Sequence, residues 1–315
     1  MASCLALRHA VIIVSKRKIP ETRMLIRSSS LSHNSLLVDS DENSTLPAAE
    51  FWRDSAIAHA ESRRACNSRA CYKSHSHPTF SIGAVDRGGS VFTGPSGVPY
   101  ALRPGMMVFI PAGCVHACNP LAARSWSYQM LHLDAIWLRL LMTEMTDATD
   151  HLIGEREIRV IENEAVYQRF CQLNAMLFSA SCAEEKEAAL IEFIGHCSGD
   201  VALSGRFPAI SPCENAMINK VIAALEQTER PLWTLAELAD ISGMSRYQLI
   251  RAIRAVTGMT PHVYQINVRI TQARRLLQAG HSIIDISYQL GFADQSHFQR
   301  VFKDYTGVTP GCYRA

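Results

Sequence analysis

The spacing of apolar positions changes character along the chain. Between about residues 51 and 133, short runs stand between turn signals. Residues 79–85 are followed by Arg87-Gly88-Gly89, then Ser90–Thr93, then Gly94-Pro95-Ser96-Gly97. Pro104-Gly105 precedes the apolar run Met106–Ile110, and Pro111-Ala112-Gly113 closes it. Residues 125–131 alternate, with Trp126, Tyr128 and Met130 on one side. Short strands broken by Gly/Pro turns predict a small antiparallel barrel or sandwich.

After Asp134 the period is helical. Residues 136–145 are apolar on most faces. Val166, Phe170, Leu173 and Leu177 recur at helical spacing, and Ala188, Ile191 and Ile194 continue a third segment. Helices this apolar do not stand alone in water; they are expected either to close the barrel or to form a dimer seam. Residues 204–213, with Gly205, Pro208, Ser211 and Pro212, read as a linker. The remainder, 214–315, is helical throughout.

That last segment repeats itself. One copy reads Gly243-Met244-Ser245-x-x-x-Leu249-x-Arg251, then Thr257-Gly258-Met259-Thr260-Pro261. The other reads Gly291-Phe292, then Ser296-x-Phe298-x-Arg300, then Thr306-Gly307-Val308-Thr309-Pro310. In the first copy Leu235, Leu238 and Ala239 share a helical face, Gly243 permits a left-handed turn, and Ser245 caps the next helix. Leu249, Ile253 and Val256 then point inward, leaving Arg246, Tyr247, Ile250, Arg251 and Arg254 outside. In the second copy Ile283, Ile286, Ser287 and Leu290 face inward, Gly291 turns and Asp294 caps. Phe298, Val301, Phe302 and Tyr305 face the core, leaving Gln295, Ser296, His297, Arg300 and Lys303 outside. A helix, a glycine turn and a capped helix with a basic outer face is the helix-turn-helix layout, whose second helix enters the major groove. Arg bridges guanine, Gln pairs with adenine and Lys neutralises phosphate. Tyr247 and His297 serve equally as contacts to DNA or as packing on a neighbour.

Between the copies a helix over Pro261–Gln278 is expected to span roughly 27 Å. This approaches the roughly 34 Å between successive major-groove turns on one side of a duplex. Arg269, Arg274 and Arg275 are expected to add positive charge along it.

Composition narrows the class without naming a partner. With 315 residues, 48% hydrophobic and 19% charged, the chain suits about two globular domains. A net charge of +2 neither favours nor excludes nucleic acid, so any basic surface must come from placement. Residues 214–315 hold 11 basic against 8 acidic side chains, a net of +3. The ten cysteines are scattered; Cys66/Cys71 and Cys114/Cys118 lack the partners of a zinc knuckle, and reduced thiols in a cytoplasmic protein are expected. No apolar run approaches a membrane span. In the first residues Lys16, Arg17 and Lys18 follow the apolar patch rather than precede it, against a signal peptide. Residues 1–50 are expected to be a disordered leader or the product of a start codon placed too early.

The second repeat copy is nearly unbroken in Gly291-Phe292-Ala293-Asp294-Gln295-Ser296-His297-Phe298-x-Arg300-x-Phe302-Lys303 and Gly307-Val308-Thr309-Pro310-x-x-Tyr313-Arg314. With Gly243-Met244-Ser245-x-x-x-Leu249-x-Arg251 it resembles the C-terminal signature of AraC/XylS-type transcription regulators over about the last hundred residues. Ser287 stands where the family usually has Ala, and Ile253 where it usually has Phe. The resemblance implies that Tyr247, Ile250 and Arg251 on one helix, and Ser296, His297 and Arg300 on the other, face DNA. Ile250 replaces a position often polar in the family and suits a thymine methyl better than a hydrogen bond.

The N-terminal half resembles, more loosely, the family's cupin-like sensor domain. The residues are His75-Ser76-His77-Pro78 and Pro104-Gly105-x-x-x-x-x-Pro111-x-Gly113-x-x-His116-x-x-Asn119. Cupin enzymes hold a metal at such positions through histidines and a Glu. The Glu expected after His77 is missing here, so polar residues lining an effector pocket are favoured over a metal site. His75, His77, Phe80, His116, Trp126 and Tyr128 are the candidate effector residues, although the three aromatic residues also suit a core.

The expected fold is therefore two-domain α+β. A cupin-like antiparallel β-barrel with following helices (51–203) leads through a linker (204–213) to an all-α double helix-turn-helix domain (214–315). The expected function is an effector-responsive, sequence-specific regulator, an activator rather than an enzyme. Its expected partners are double-stranded promoter DNA, a small-molecule effector, RNA polymerase and a second copy of itself, with no membrane, metal or cofactor. Two rivals remain open: a metal-dependent cupin enzyme fused to a DNA-binding module, and a ligand-independent regulator with a degenerate sensor.

Overall fold

Ten strands and ten helices form among the described residues. A computed structural model of the chain describes residues 49–144, 157–197, 203–208, 215–229 and 231–314. The expected leader falls largely outside the described residues, but its last two positions are ordered. Ala49 is buried, and Glu50 opens the first strand, β1 (Glu50–Arg53).

The N-terminal half is two antiparallel sheets. After β1 and a 3-10 turn at Ser55–Ile57 come β2 (Ala60–Ser68), β3 (Thr79–Arg87), β4 (Ser90–Thr93) and β5 (Pro99–Leu102). Then follow β6 (Met106–Ile110), β7 (Ala117–Pro120) and β8 (Trp126–Asp134). Helix α1 (Ala135–Glu144), strand β9 (Glu157–Glu162), helices α2 (Glu164–Leu177) and α3 (Ala183–His196), and strand β10 (Leu203–Pro208) complete this half. The large sheet runs β1-β2-β8-β3-β6-β9-β10 and the small one β5-β4-β7. The expected linker is thus corrected at its start. Residues 203–208 pair antiparallel with β9 and extend the large sheet.

Strand alternation divides the large sheet into two faces. Met106, Val108, Ile110, Trp126 and Tyr128 pack toward the small sheet with Phe92. Phe80, Ile82, Met107, Phe109, Leu131 and Leu133 pack on the other face against α1, α2 and α3. The expected inward face of α2 is confirmed at Val166, Phe170, Leu173 and Leu177, all buried. On α3 the phase differs from expectation: Leu190, Phe193 and Ile194 are buried, while Ala188 is exposed and Ile191 half-buried. These helices cover the sheet, and only α1 leaves large apolar side chains outside, Ile136 and Leu140.

The C-terminal half is helical as its pattern predicts: α4 (Ala216–Leu225), α5 (Leu235–Ser242), α6 (Arg246–Thr257), α7 (Pro261–Gln278), α8 (Ile283–Gln289), α9 (Gln295–Thr306) and α10 (Pro310–Arg314). Ser245 caps α6 in a reciprocal capping box with Gln248, and Asp294 accepts the His297 amide at the start of α9. The repeat extends to hydrogen bonding. The Thr257 hydroxyl donates to the carbonyls of Ile253 and Met259, and that of Thr306 to those of Phe302 and Val308. In each copy the following glycine, Gly258 or Gly307, is left-handed and ends the recognition helix.

The two helix-turn-helix units are cored differently. The first is built on its own cluster of Ile218, Val221, Leu225, Leu238, Leu249 and Ile253. The core of the second, with Phe298, Phe302 and Tyr313, is continuous with the core between the sheets. One connector expectation is overturned. Arg269 is 1% exposed and donates through Nε to the Leu290 carbonyl at 2.7 Å, so it fastens α7 to the end of α8 instead of charging the surface. Arg274 is also withdrawn from the surface, for reasons given below; Arg275 stays exposed.

Candidate functional site

Two sites emerge, a pair of exposed helix faces and a cavity. On α6 the inward positions Leu249 and Ile253 fix the helix rotation and leave Arg246, Tyr247, Arg251 and Arg254 exposed, with Ile250 half-buried. Tyr247 is 69% exposed, and the Arg251 guanidinium lies 5.7 Å from its ring centroid, one helical turn on. On α9, Phe298, Phe302 and Tyr305 face inward, which exposes Gln295, Ser296, Arg300 and Lys303. His297 is half-buried and packs edge-on to Phe292 at 5.6 Å, so it leans on its neighbour while Tyr247 stands clear.

The cavity, about 70 Å³, is walled by both halves of the chain. From the expected set, the loops between strands supply His75, His77 and His116, and β8 supplies Trp126 and Tyr128. Phe80 is corrected: it is 4% exposed on the helix-covered face of β3, one residue out of phase with Ser81, whose hydroxyl meets His132 Nδ1 at 2.9 Å. The sequence reading missed Glu61, Arg63, Tyr72 and His132 on the barrel side, and Asn267, Thr271, Arg274 and Tyr313 from α7 and α10. A wider groove of about 540 Å³ shares Glu61, His132, Thr271, Arg274 and Tyr313 with it.

Polar contacts tie the two halves around this cavity. Glu61 accepts from Arg53 Nε at 2.7 Å and from Arg274 at 2.9 Å. Burial alone would raise its carboxyl, but Arg274 and Arg53 overcome that and hold the pKa at about 2. Arg53 also donates to the Tyr313 carbonyl, and Arg63 to the Thr306 carbonyl at 2.7 Å. The Ser76 amide donates to Asn267 Oδ1, and the Lys73 amide to the Asp304 carbonyl. Tyr72 approaches Gly307 so closely that a side chain there would meet its ring. Apart from the Arg53–Glu61 pair within the sheet, these contacts reach α7, α9 with its closing Gly307, or α10.

Four histidines meet in the cavity. His75, His77 and His116 place candidate ligand nitrogens within 4.8 Å of one another, and His77 lies 4.9 Å ring to ring from His132. Burial lowers the pKa of His75 to about 3, of His116 to about 4 and of His132 to about 3, so all are neutral near pH 7. His75 and His116 turn Nδ1 onto the carbonyls of Lys73 and Cys114, leaving Nε2 as the lone-pair nitrogen. That half of the arrangement suits a metal. His77 does not: its Nδ1 faces the Arg274 guanidinium at 3.1 Å, and a guanidinium only donates. Three imidazoles alone can hold zinc, but a divalent ion here would sit beside the Arg274 guanidinium that occupies one of them. The set does not fit a metal centre.

Two family models match the chain. The AraC-like ligand binding domain matches residues 60–194, and the helix-turn-helix domain matches residues 238–315. The chain is 26% identical to the HTH-type transcriptional regulator YbfI of Bacillus subtilis (strain 168), over 72% of this chain and 81% of that protein. It is 26% identical to the HTH-type transcriptional activator RhaS of Enterobacter sp. (strain 638), over 75% of this chain and 84% of that one. Among solved structures, apo ToxT (a variant) from Vibrio cholerae strain SCE256 aligns with a TM-score of 0.52 at 14% identity, covering 84% of this chain and 96% of that one. That likeness is one of fold. No described helix is long and apolar enough to cross a membrane.

Proposed function

Because this chain is an AraC/XylS-type transcription regulator, we propose that it is a cytoplasmic activator that works as a homodimer and recruits RNA polymerase when a small molecule occupies the cavity. The observation that carries this reading is the shared wall. One cavity is lined by barrel residues and by α7, α9 and α10, so its occupant touches the second DNA-reading unit directly. A ligand that binds one arrangement of the two halves better than another shifts the population between them. Ile136 and Leu140, one turn apart on α1 and 67% and 59% exposed, support a seam with a second copy. The sensor domain runs from about residue 51 through β10, and 214–315 is the reader. The chain binds its effector and does not turn it over.

In this reading Arg246, Tyr247, Ile250, Arg251 and Arg254 enter one major groove, and Gln295, Ser296, His297, Arg300 and Lys303 the next. The test is binding of the full-length protein to its own upstream DNA and to random DNA over a salt series. Selective binding that falls steeply with salt is expected, with Arg251→Ala and Arg300→Ala each costing about 1–3 kcal/mol of selectivity. Equal affinity for both DNAs, with the protein folded, overturns the reading.

A further inference from the structure

We infer that the cavity is built for a small organic anion, a carboxylate on an apolar body, held by the guanidinium of Arg63. This rests on the reading of the cavity as an effector site and adds the ligand's chemical class.

Arg63 is 9% exposed and carries a full charge into the cavity wall. Its one hydrogen bond to backbone is the 2.7 Å contact with the Thr306 carbonyl, and its Nε has no partner among the described residues. No carboxylate pairs with it there. Glu61, the carboxylate of the cavity lining, is already engaged by Arg53 and Arg274. The buried histidines are neutral, and burial pushes the Tyr128 phenol well above its ordinary pKa, so neither supplies a counter-charge. Two guanidinium groups therefore face one carboxylate in the lining. A buried charge without a counter-charge is among the most costly features a fold retains.

The rings of Phe51, Tyr128 and Tyr72, with centroids 5.2 to 5.9 Å from the Arg63 guanidinium carbon, hold it in place by cation–π attraction. The Tyr72 hydroxyl also hydrogen-bonds the guanidinium, but it brings no counter-charge and leaves Nε without a partner. A second donor is also idle: Trp126 Nε1, buried and unpartnered, belongs to a residue of the same lining. Two idle donors and excess positive charge call for an acceptor with negative charge, and a carboxylate offers two oxygens. The aromatic wall and Met130 favour an organic body over a hydrated inorganic ion. The space holds a few heavy atoms; a longer acid extends past His132 and Arg274 into the groove that shares those residues. The Arg63 contact with Thr306, the last residue of α9, connects such an anion to the second recognition helix.

The test measures thermal unfolding and promoter binding of the full-length protein with pyruvate, benzoate and octanoate. Benzamide, glucose, inorganic phosphate and ZnCl2 alone are run beside them. At least one carboxylate is expected to raise Tm saturably, following RT ln(1 + [L]/Kd), and to change promoter affinity, while benzamide does neither. Arg63→Gln is expected to weaken that carboxylate at least tenfold. Should Arg63→Gln not fold, Arg63→Lys and Trp126→Phe are read instead, each expected to weaken it several-fold. A matching response to benzamide, glucose or zinc overturns the anion and leaves the effector reading standing. A response to phosphate equal to that of the carboxylates overturns the organic body. If no carboxylate shifts Tm, or the response survives in every folded variant, the Arg63 site is wrong. If promoter binding is selective yet blind to every compound, the effector reading falls with it.

Discussion

Arginines on α7 show that residue type alone does not assign a role. Arg269, Arg274 and Arg275 read alike in the sequence, as positive charge along a helix near DNA. Packing gives them three fates: a buried tie to the Leu290 carbonyl, a half-buried bridge to Glu61 and an exposed side chain. The difference is testable. Arg269→Leu removes the donor that satisfies a carbonyl at the end of α8 and is expected to cost about 2–3 kcal/mol of stability. Arg275→Ala is expected to stay within about 0.5 kcal/mol. Urea unfolding of both variants separates them; equal costs would return Arg269 to the surface. The same lesson holds in the cavity. His75 and His116 were legible as candidates because they fall in a stretch that resembles the cupin-like motif, whereas Arg63 was not, because the pair Arg63-Arg64 in a polar stretch reads as solvated.

At the scale of elements, legibility followed whether a segment's pattern is made by a continuous core. The span Pro261–Gln278 was readable to the residue, since Pro261 takes the first helical position and Gly280 lies just beyond the end. Strand β2 was invisible. Its alternation places Glu61, Arg63 and Ala65 toward the cavity, so the positions that should have been apolar are charged. Phe80 went to the wrong face because β3 is buried on both sides and its apolar run carries no phase. The linker misread has the same root: Gly205 and Pro208 are turn signals, yet β10 lies at a sheet edge, where such residues are tolerated. The helix-turn-helix units were read correctly in both copies, but not their unequal anchorage. The first unit's core is its own, whereas α8 and α9 share the core between the sheets. Amides of α5 and α6 are therefore expected to exchange with solvent faster than those of α8 and α9 in the free protein. Equal protection of the two units in hydrogen exchange would mean that the barrel does not clamp the second.

For the whole molecule, the join between sensor and reader is an acid-sensitive assembly. His75, His116 and His132 lie against the joined halves with pKa values of about 3, 4 and 3, depressed by burial and, for His75 and His132, by Arg274. In the unfolded chain they titrate near 6.5. Above that pH neither state binds the protons and nothing is lost. As pH falls from 6.5 toward 4, the unfolded chain takes up protons that the native join refuses, so stability declines. Glu61 acts in a lower window. Its carboxylate, held at about 2, contributes fully above its ordinary 4.5 and loses that contribution between 4.5 and 2. The histidines therefore govern first, facing Arg63, Arg274 and the engaged Glu61. Urea unfolding of the full-length protein at pH 7.5, 6 and 5 is expected to show a steady loss of stability, with promoter affinity declining in parallel because the second reader is held by the same contacts. His116→Asn keeps a donor near the Cys114 carbonyl but cannot ionise, and it is expected to flatten the slope between pH 6.5 and 5. A stability curve level across that range, in the parent protein, would show that the histidines are solvated and that the two halves are not joined through them.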